Sequence, residues 1–364
     1  MLIAFSIVVA IQILYFLIFF HRLADHKPEQ EASQNLPPIS IVICAHDELG
    51  SLKKNLPAIL EQQYPLYEVI VVNDNSDDDS EMMLTRMESE FPNLVVRHIS
   101  NQSKTLRGKK YPLTIGIRAA KYDHLLLTDA DCAPSSDHWI RDMATLFSNE
   151  KEIILGYAPY RKRNGFLNKF IRYEAFFTAL QYFSYSLAKL SYMGVGRNLA
   201  YKKQIFFDHN IYPKYPQLMS GDDDLLINAA ADKKNTAIQI NTSSFMYSEA
   251  KLSWDEYWHQ KRRHVSTGKY YKLKHRFFLG LFSLSHLLFY VLFIITLIYS
   301  ALWLEGLFLF AIRLIIQGIV MRTTMKKLVE DDLFFYYPML DFFFLIYYLK
   351  LLPDTFQTKN NTWK

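Results

Sequence analysis

Apolar residues are laid along this chain in two manners. At the two ends they run on without a break. Leu2 to Phe20 contains no charged residue, and from Phe277 onward long apolar and aromatic stretches return. Between about Asp25 and Arg276 they come in short bursts set among polar turns and helically spaced segments. Ile39 to Cys44, Glu68 to Val72, Leu94 to His98, Leu125 to Thr128 and Glu152 to Ala158 read as buried strands. Helical patterns fill the gaps: from AHDELGSL to about Gln62, Met82 to Phe91, Lys110 to Ala120, and His138 to Phe147. Strands alternating with helices predict an α/β domain on a mostly parallel sheet. Asn168 to Leu190 predicts a long helix bearing Phe170, Tyr173, Phe176, Phe177, Leu180 and Phe183. Such a stripe is first of all a core pattern; the alternative is a helix resting on a bilayer or lining an acceptor site.

The uninterrupted ends change the picture from a globular domain to an anchored one. At 1.5 Å per residue, Leu2 to Phe20 spans a hydrocarbon core of about 30 Å. It lacks a basic start and a small-residue cleavage site, so a retained anchor is expected. Further spans are expected near Phe278 to Leu302, Leu307 to Met321 and Leu333 to Leu352. Arg313 and Asp341 interrupt the last two, which are therefore compatible with crossing, re-entrant or interfacial segments. His21 and Arg22, then Arg262, Arg263, Lys269, Lys272, Lys274 and Arg276, flank the spans. Such flanks face the cytoplasm, although attraction to anionic lipid accounts for them equally well. The expected layout is an anchor over 1–22, a linker over 23–36, a catalytic domain over 37–276, two to three helices over 277–355 and a polar tail over 356–364. The expected setting is a multi-pass protein of the inner cell membrane with a cytoplasmic catalytic domain. The net charge of +5 over 364 residues is juxtamembrane, with no groove-reading element, so nucleic acid is excluded as a partner. Two cysteines, Cys44 and Cys132, imply no disulfide framework.

Binding crevices in parallel sheets lie beyond the carboxyl ends of the strands. His46, Asp47, Glu48, Asp74, Asp129 and Asp131 all fall there. Asp129 and Asp131 close LLLTDAD with i, i+2 spacing and would project together from an extended strand end. Two such carboxylates repel, and a divalent cation, Mg²⁺ or Mn²⁺, relieves them while keeping positions for substrate phosphates. No glycine-rich phosphate cradle follows any strand, so a phosphate ligand would depend on that metal.

Four constellations occur in order: Asp74 in VVNDNSDD, Asp129 and Asp131, the run Asp222, Asp223 and Asp224 in SGDDDLLIN, and Gln260, Arg263 and His264 in QKRRH. The chain resembles the family 2 glycosyltransferases over about Pro37 to Lys272. These are inverting enzymes of the GT-A (Rossmann-like) fold, and the likeness is to the membrane-embedded branch that includes cellulose and hyaluronan synthases and ceramide glucosyltransferase. The resemblance implies that Ala45 and Glu48 line the nucleotide pocket, where His46 and Asp47 depart from the usual Tyr-Asn. It implies that Asp74 meets the base, that Lys109 or Lys110 lies near the donor, and that Asp129 and Asp131 hold the sugar-nucleotide and its metal. By the same resemblance Asp222 and Asp223 match a Glu-Asp motif whose second acid is the general base, with the register open by one because of Asp224. Gln260 and Arg263 match QxxRW, and His264 replaces the Trp of the acceptor platform. Arg263, with Arg262, would stabilise the leaving diphosphate. GVGRN, from Gly194 to Asn198, resembles a loop near the acceptor.

These matches imply transfer of a sugar from a UDP- or GDP-sugar to a hydroxyl of a lipid, lipid-linked or saccharide acceptor. A processive polysaccharide synthase of the same family is the alternative within the class. A non-catalytic sugar-nucleotide-binding or transport protein is the alternative outside it.

Overall fold

The computed structural model describes residues 1–27, 36–100, 108–148, 150–209, 211–216, 218–299 and 301–356. Most of the expected linker and tail therefore lie outside the described residues. Among the described residues nine strands occur: β1 Ile39–Ala45, β2 Tyr67–Asp74, β3 Leu94–Ile99, β4 His124–Asp129, β5 Cys132–Pro134, β6 Ile153–Leu155, β7 Leu199–Lys202, β8 Thr236–Ile238 and β9 Met246–Ser248. Seven form the central sheet, in the order β3-β2-β1-β4-β7-β6-β8. β3, β2, β1 and β4 are parallel. β7 runs antiparallel to both β4 and β6, and β8 is parallel to β6. β5 and β9 pair separately.

The apolar runs of the parallel strands are explained by burial on both faces. Along β1, Ile39, Ile41 and Ile43 enter one core and Val42 and Cys44 enter the other. The chain leaves β1 toward β2 and β3 on one side, while β4 lies on the other. Such a reversal opens a crevice at the strands' carboxyl ends. Cys44 on β1 is in register there with Asp129 on β4.

Among the described residues, four helical stretches are long and apolar enough to cross a membrane: Leu2–Asp25, Leu273–Tyr299, Trp303–Lys327 and Asp331–Asp354. The first contains a π-helical stretch at Tyr15–Phe20. The charges that interrupted the sequence pattern meet one another. Arg313 pairs with Asp341 at 2.8 Å, and both are buried. Gln317 and Tyr290 donate to Asp341 at 2.9 and 2.7 Å, and His286 Nε2 lies 3.1 Å from it. Arg313 also donates to Gln12 at 3.0 Å. One polar knot thus joins all four helices, each member covering a group that lipid would not tolerate bare.

Most of the aromatic stripe of the helix Phe166–Leu187 is buried in the core. The helix packs between the sheet and the apolar helices: Tyr185 stacks on Phe19, and Phe177 meets Phe20 and Phe282. Its Arg172 is buried and donates to both Glu330 and Asp332, beside the start of the last helix.

Candidate active site

The turns above β1 and β2 are bound to each other. Ala45 ends β1 buried, and Asp74 ends β2 with no exposed surface. Asp47 and Asn75 follow at φ 55° and 51°, a left-handed conformation that Asp and Asn accept more readily than most residues. His46 Nδ1 lies 2.8 Å from the Asp74 carbonyl oxygen, and the Asp77 N–H donates to the Asp47 carboxylate at 2.8 Å. Glu48 begins the helix Leu49–Leu60 and stands near enough to oppose ionisation of Asp131.

β4 stops at Asp129, and Ala130 turns the chain before β5 begins at Cys132. Asp129 and Asp131 are therefore not on one extended face, contrary to the i, i+2 expectation. They remain close, but their environments are opposite. Lys109 forms an ion pair with Asp129. Burial works against that carboxylate, yet Lys109 more than offsets it and holds Asp129 below the usual range. Asp131 is held above it by enclosure and then by the charge of Asp129. Of the two lysines, Lys109 faces the acids, whereas Lys110 is buried and donates to the carbonyls of Tyr215 and Leu218 at 2.9 and 2.7 Å.

The three consecutive acids face three ways. Asp224 accepts from Thr267 Oγ1 at 2.5 Å, Tyr271 Oη at 2.7 Å and the Leu225 N–H at 2.8 Å, so it serves the packing of its helix. Asp223 caps the helix Asp224–Ala230 and accepts the Gly196 N–H at 2.6 Å and the Asp224 N–H at 2.7 Å. Burial, then Asp222 and Asp224, pushes its carboxyl up to about 8. Asp222 adds to the charges that raise Lys109, whereas burial outweighs it at Lys110 and lowers that ammonium to about 8.

The loop Gly194 to Asn198 holds a residue to which the sequence reading assigned no role. Arg197 lies over the Tyr160 ring, 4.4 Å from its centroid, and donates to Ser248. Burial opposes its charge, but Tyr160, Cys132, Asp131 and Asp129 more than compensate. Its position is fixed by Asn198, wholly buried, which accepts from Trp139 Nε1 at 3.0 Å and donates to the Tyr157 and Ser244 carbonyls at 2.8 Å. Close approach requires glycine nearby: a Cβ on Gly156 would meet the Asn198 amide at 2.5 Å. An arginine beside a glycine in GVGRN was the only sequence signal.

The helix Trp254–Val265 carries Gln260 and Arg263 one turn apart, on one side. Arg263 lowers the pKa of Asp129 and so belongs to the site. Arg262, expected at the donor, turns away instead and pairs with Asp354 at 3.4 Å. Adjacent helical residues point about 100° apart, so the two arginines serve different neighbours. His264 has exposed surface, and the atoms crowded round its ring, then the charges of Lys261, Arg263 and Arg197, lower its imidazole from the usual value.

The mostly parallel sheet, reversed at β1 and β4, is a GT-A-like fold. Residues 40–208, a little under half of the chain, match the glycosyl transferase family 2 profile, a match that supports a glycosyltransferase enzyme. Glycosyltransferase AglE of Haloferax volcanii is 25% identical over 135 residues, 36% of this chain and 43% of that protein. This chain thus spans less than half of that relative. Probable glycosyltransferase YdaM of Bacillus subtilis is 23% identical over 344 residues, 82% of this chain and 78% of its own. Mannosyltransferase PcManGT of Pyrobaculum calidifontis, solved with GDP-Man and Mn²⁺, superposes with a TM-score of 0.59 at 15% identity, covering 97% and 99% of the two chains. At that identity the likeness concerns the fold.

Proposed function

We propose that this protein transfers a sugar from a UDP- or GDP-sugar to a hydroxyl of a lipid, lipid-linked or saccharide acceptor at a membrane, inverting the anomeric centre. The observation that carries the reading is a pair of acids with opposed environments. Lys109 keeps Asp129 ionised, whereas enclosure keeps Asp223 near its titration point at neutral pH. Groups driven apart in this way take different roles in catalysis.

Asp129 and Asp131 fit a divalent cation. Asp131 faces the cleft, and its charge is opposed by enclosure and by Asp129, a cost that a cation removes. No group of three His, Cys, Asp or Glu able to hold a metal occurs among the described residues. Two carboxylates, with substrate phosphates completing the shell, suit Mg²⁺ or Mn²⁺. When bound, the ion supplies Lewis-acid neutralisation of the departing diphosphate. The Mn²⁺ and GDP-Man bound by PcManGT support both parts of this reading.

The chain's own residues do the rest. Ala45, Glu48 and Asp74 line the nucleotide pocket, with Asp74 accepting an N–H from the base. Lys109 orients Asp129. Arg263 and Gln260 stand at the leaving diphosphate, where a fixed cation stabilises developing charge. Asp223 takes the proton of the acceptor hydroxyl as its oxygen bonds to the anomeric carbon and the bond to the phosphate oxygen breaks. Asp222 tunes the charge of Lys109 and of Asp223. A single displacement turns an α-linked donor into a β-linked product.

The test is nucleotide release from a panel of UDP- and GDP-sugars with Mg²⁺ or Mn²⁺, on the parent and on Asp223→Asn. The variant should bind donor as the parent does and lose transfer. Near-parental turnover would remove Asp223 as the base.

A further inference from the structure

We infer that Arg197 touches the diphosphate of the donor and stabilises the charge it gains on departure, a second arginine beside Arg263 in that role. The inference rests on the proposed glycosyl transfer from a nucleotide sugar.

Two pairings place Arg197 among the acids of the cleft. β7 runs antiparallel to β4, and its first residue, Leu199, lies against Leu127. Continued outward, that register sets Asn198 level with Thr128 and Arg197 level with Asp129. From another side, Arg197 donates to Ser248, which pairs with Cys132, the residue after Asp131. The same loop reaches the proposed base, because the Gly196 N–H donates to Asp223 at 2.6 Å. One guanidinium thus adjoins the acids suited to the donor's cation and the acid suited to the acceptor's proton.

Its aim is fixed by the protein itself. Tyr160, whose ring lies under the guanidinium, and Ser248, which accepts from it, are bridged through the backbone. The Arg161 N–H donates to the Ser248 carbonyl at 2.9 Å, and the Ser248 N–H to the Pro159 carbonyl at 3.1 Å. The loop is locked as well. The Gly156 N–H donates to the Asn198 carbonyl at 3.0 Å, and the Asn198 N–H to the Val195 carbonyl at 2.9 Å. Arg197 itself is only half-buried.

Charge decides what it meets. Asp129 and Asp131 favour its positive form. Once those acids hold a divalent cation, their charge is cancelled and a guanidinium beside them is repelled. A diphosphate removes the conflict. Its oxygens complete the cation's shell and also accept the fork of an arginine, the strong phosphate pairing. During transfer the bond from the anomeric carbon to the phosphate oxygen breaks, and its electron pair stays on that oxygen. The acceptor oxygen bonds to the carbon and gives its proton to Asp223. Arg197 exchanges no proton, and a preset cation answers the new charge without rearrangement.

The full chain in detergent tests this with UDP, GDP, their sugar donors and Mg²⁺. Arg197→Ala should lose kcat by about 10²-fold while the donor KM stays within about threefold. The released nucleotide carries one negative charge more than the donor. By calorimetry, affinity for the released nucleotide should therefore fall about tenfold and affinity for the donor far less. Tyr160→Phe keeps the ring and should match the parent in kcat, whereas Tyr160→Leu frees the guanidinium and should lose about tenfold. Parental kcat in Arg197→Ala, or equal losses of affinity for donor and released nucleotide, overturns the inference and leaves glycosyl transfer standing. So does parental kcat in Tyr160→Leu, the test that remains if Arg197→Ala does not fold. A parent that releases no nucleotide from any of these donors overturns both.

Discussion

Residue by residue, the site is governed by which acid keeps its proton. The raised pKa of Asp223 has a definite sign in two measurements. As the proposed base, Asp223 must be ionised, so turnover should rise with pH toward about 8, and Asp223→Asn should lose turnover at every pH. Stability runs the other way. An unfolded aspartate ionises near 4, so from about pH 4 to about 8 the folded chain keeps a proton that the unfolded chain releases, and rising pH erodes stability. Asp223→Asn should therefore melt higher than the parent, by a margin that widens from pH 5 to pH 8. Arg197→Ala should lower kcat/KM by about 10²-fold, the size typical of a lost charge-stabilising donor. Arg197→Lys should restore little of it, because a lysine cannot lie flat on Tyr160. The carboxylates themselves were legible in the sequence, because acids at strand ends and at a helix start stand out against apolar runs. The register among Asp222, Asp223 and Asp224 stayed open by one. Only the placement of Thr267 and Tyr271 against Asp224, and of the Gly196 N–H against Asp223, separates a packing acid from the one at the cleft.

Among the elements, the long strands and helices were legible because local periodicity specifies them. β1, β2, β3 and β4 fall within two residues of their expected ranges. β5, β7, β8 and β9, of three or four residues each, were not, because nothing so short has a period of its own and tertiary pairing alone defines it. The loop holding Arg197 depends on such a pairing. The apolar helices were visible as runs, but the partnership of Arg313 with Asp341 was not, since it joins positions brought together only by packing. Breaking it should be costly. Asp341→Ala leaves Arg313 buried without its carboxylate and should destabilise the fold by about 3–5 kcal/mol, whereas Asp341→Leu with Arg313→Met should recover much of that loss. Melting in detergent, parent against single and double variants, measures both.

At the scale of the whole molecule, the sheet domain and the four apolar helices share buried contacts. Arg172, Glu330 and Asp332 join them through a nearly solvent-free guanidinium, and Tyr157 Oη reaches Glu330 at 3.4 Å from the strand side. Arg172→Ala should leave the buried Glu330 without its cation and lower the melting temperature of the entire chain in one transition, with no separate earlier melting of either half. Two resolved transitions by calorimetry would show the halves to be independent. Divalent-ion removal by EDTA should abolish nucleotide release and leave that single transition in place.

The aromatic side of the helix Phe166–Leu187 has a further consequence. Phe177 and Tyr185 spend their rings on Phe19, Phe20 and Phe282, residues of the anchoring segments at both ends of the sequence. Cut free of those segments, the globular half would carry a bare slab of rings into water and clump with its own kind. Trimming the ends to obtain a soluble enzyme should therefore give aggregates unless the newly uncovered rings are replaced by polar side chains.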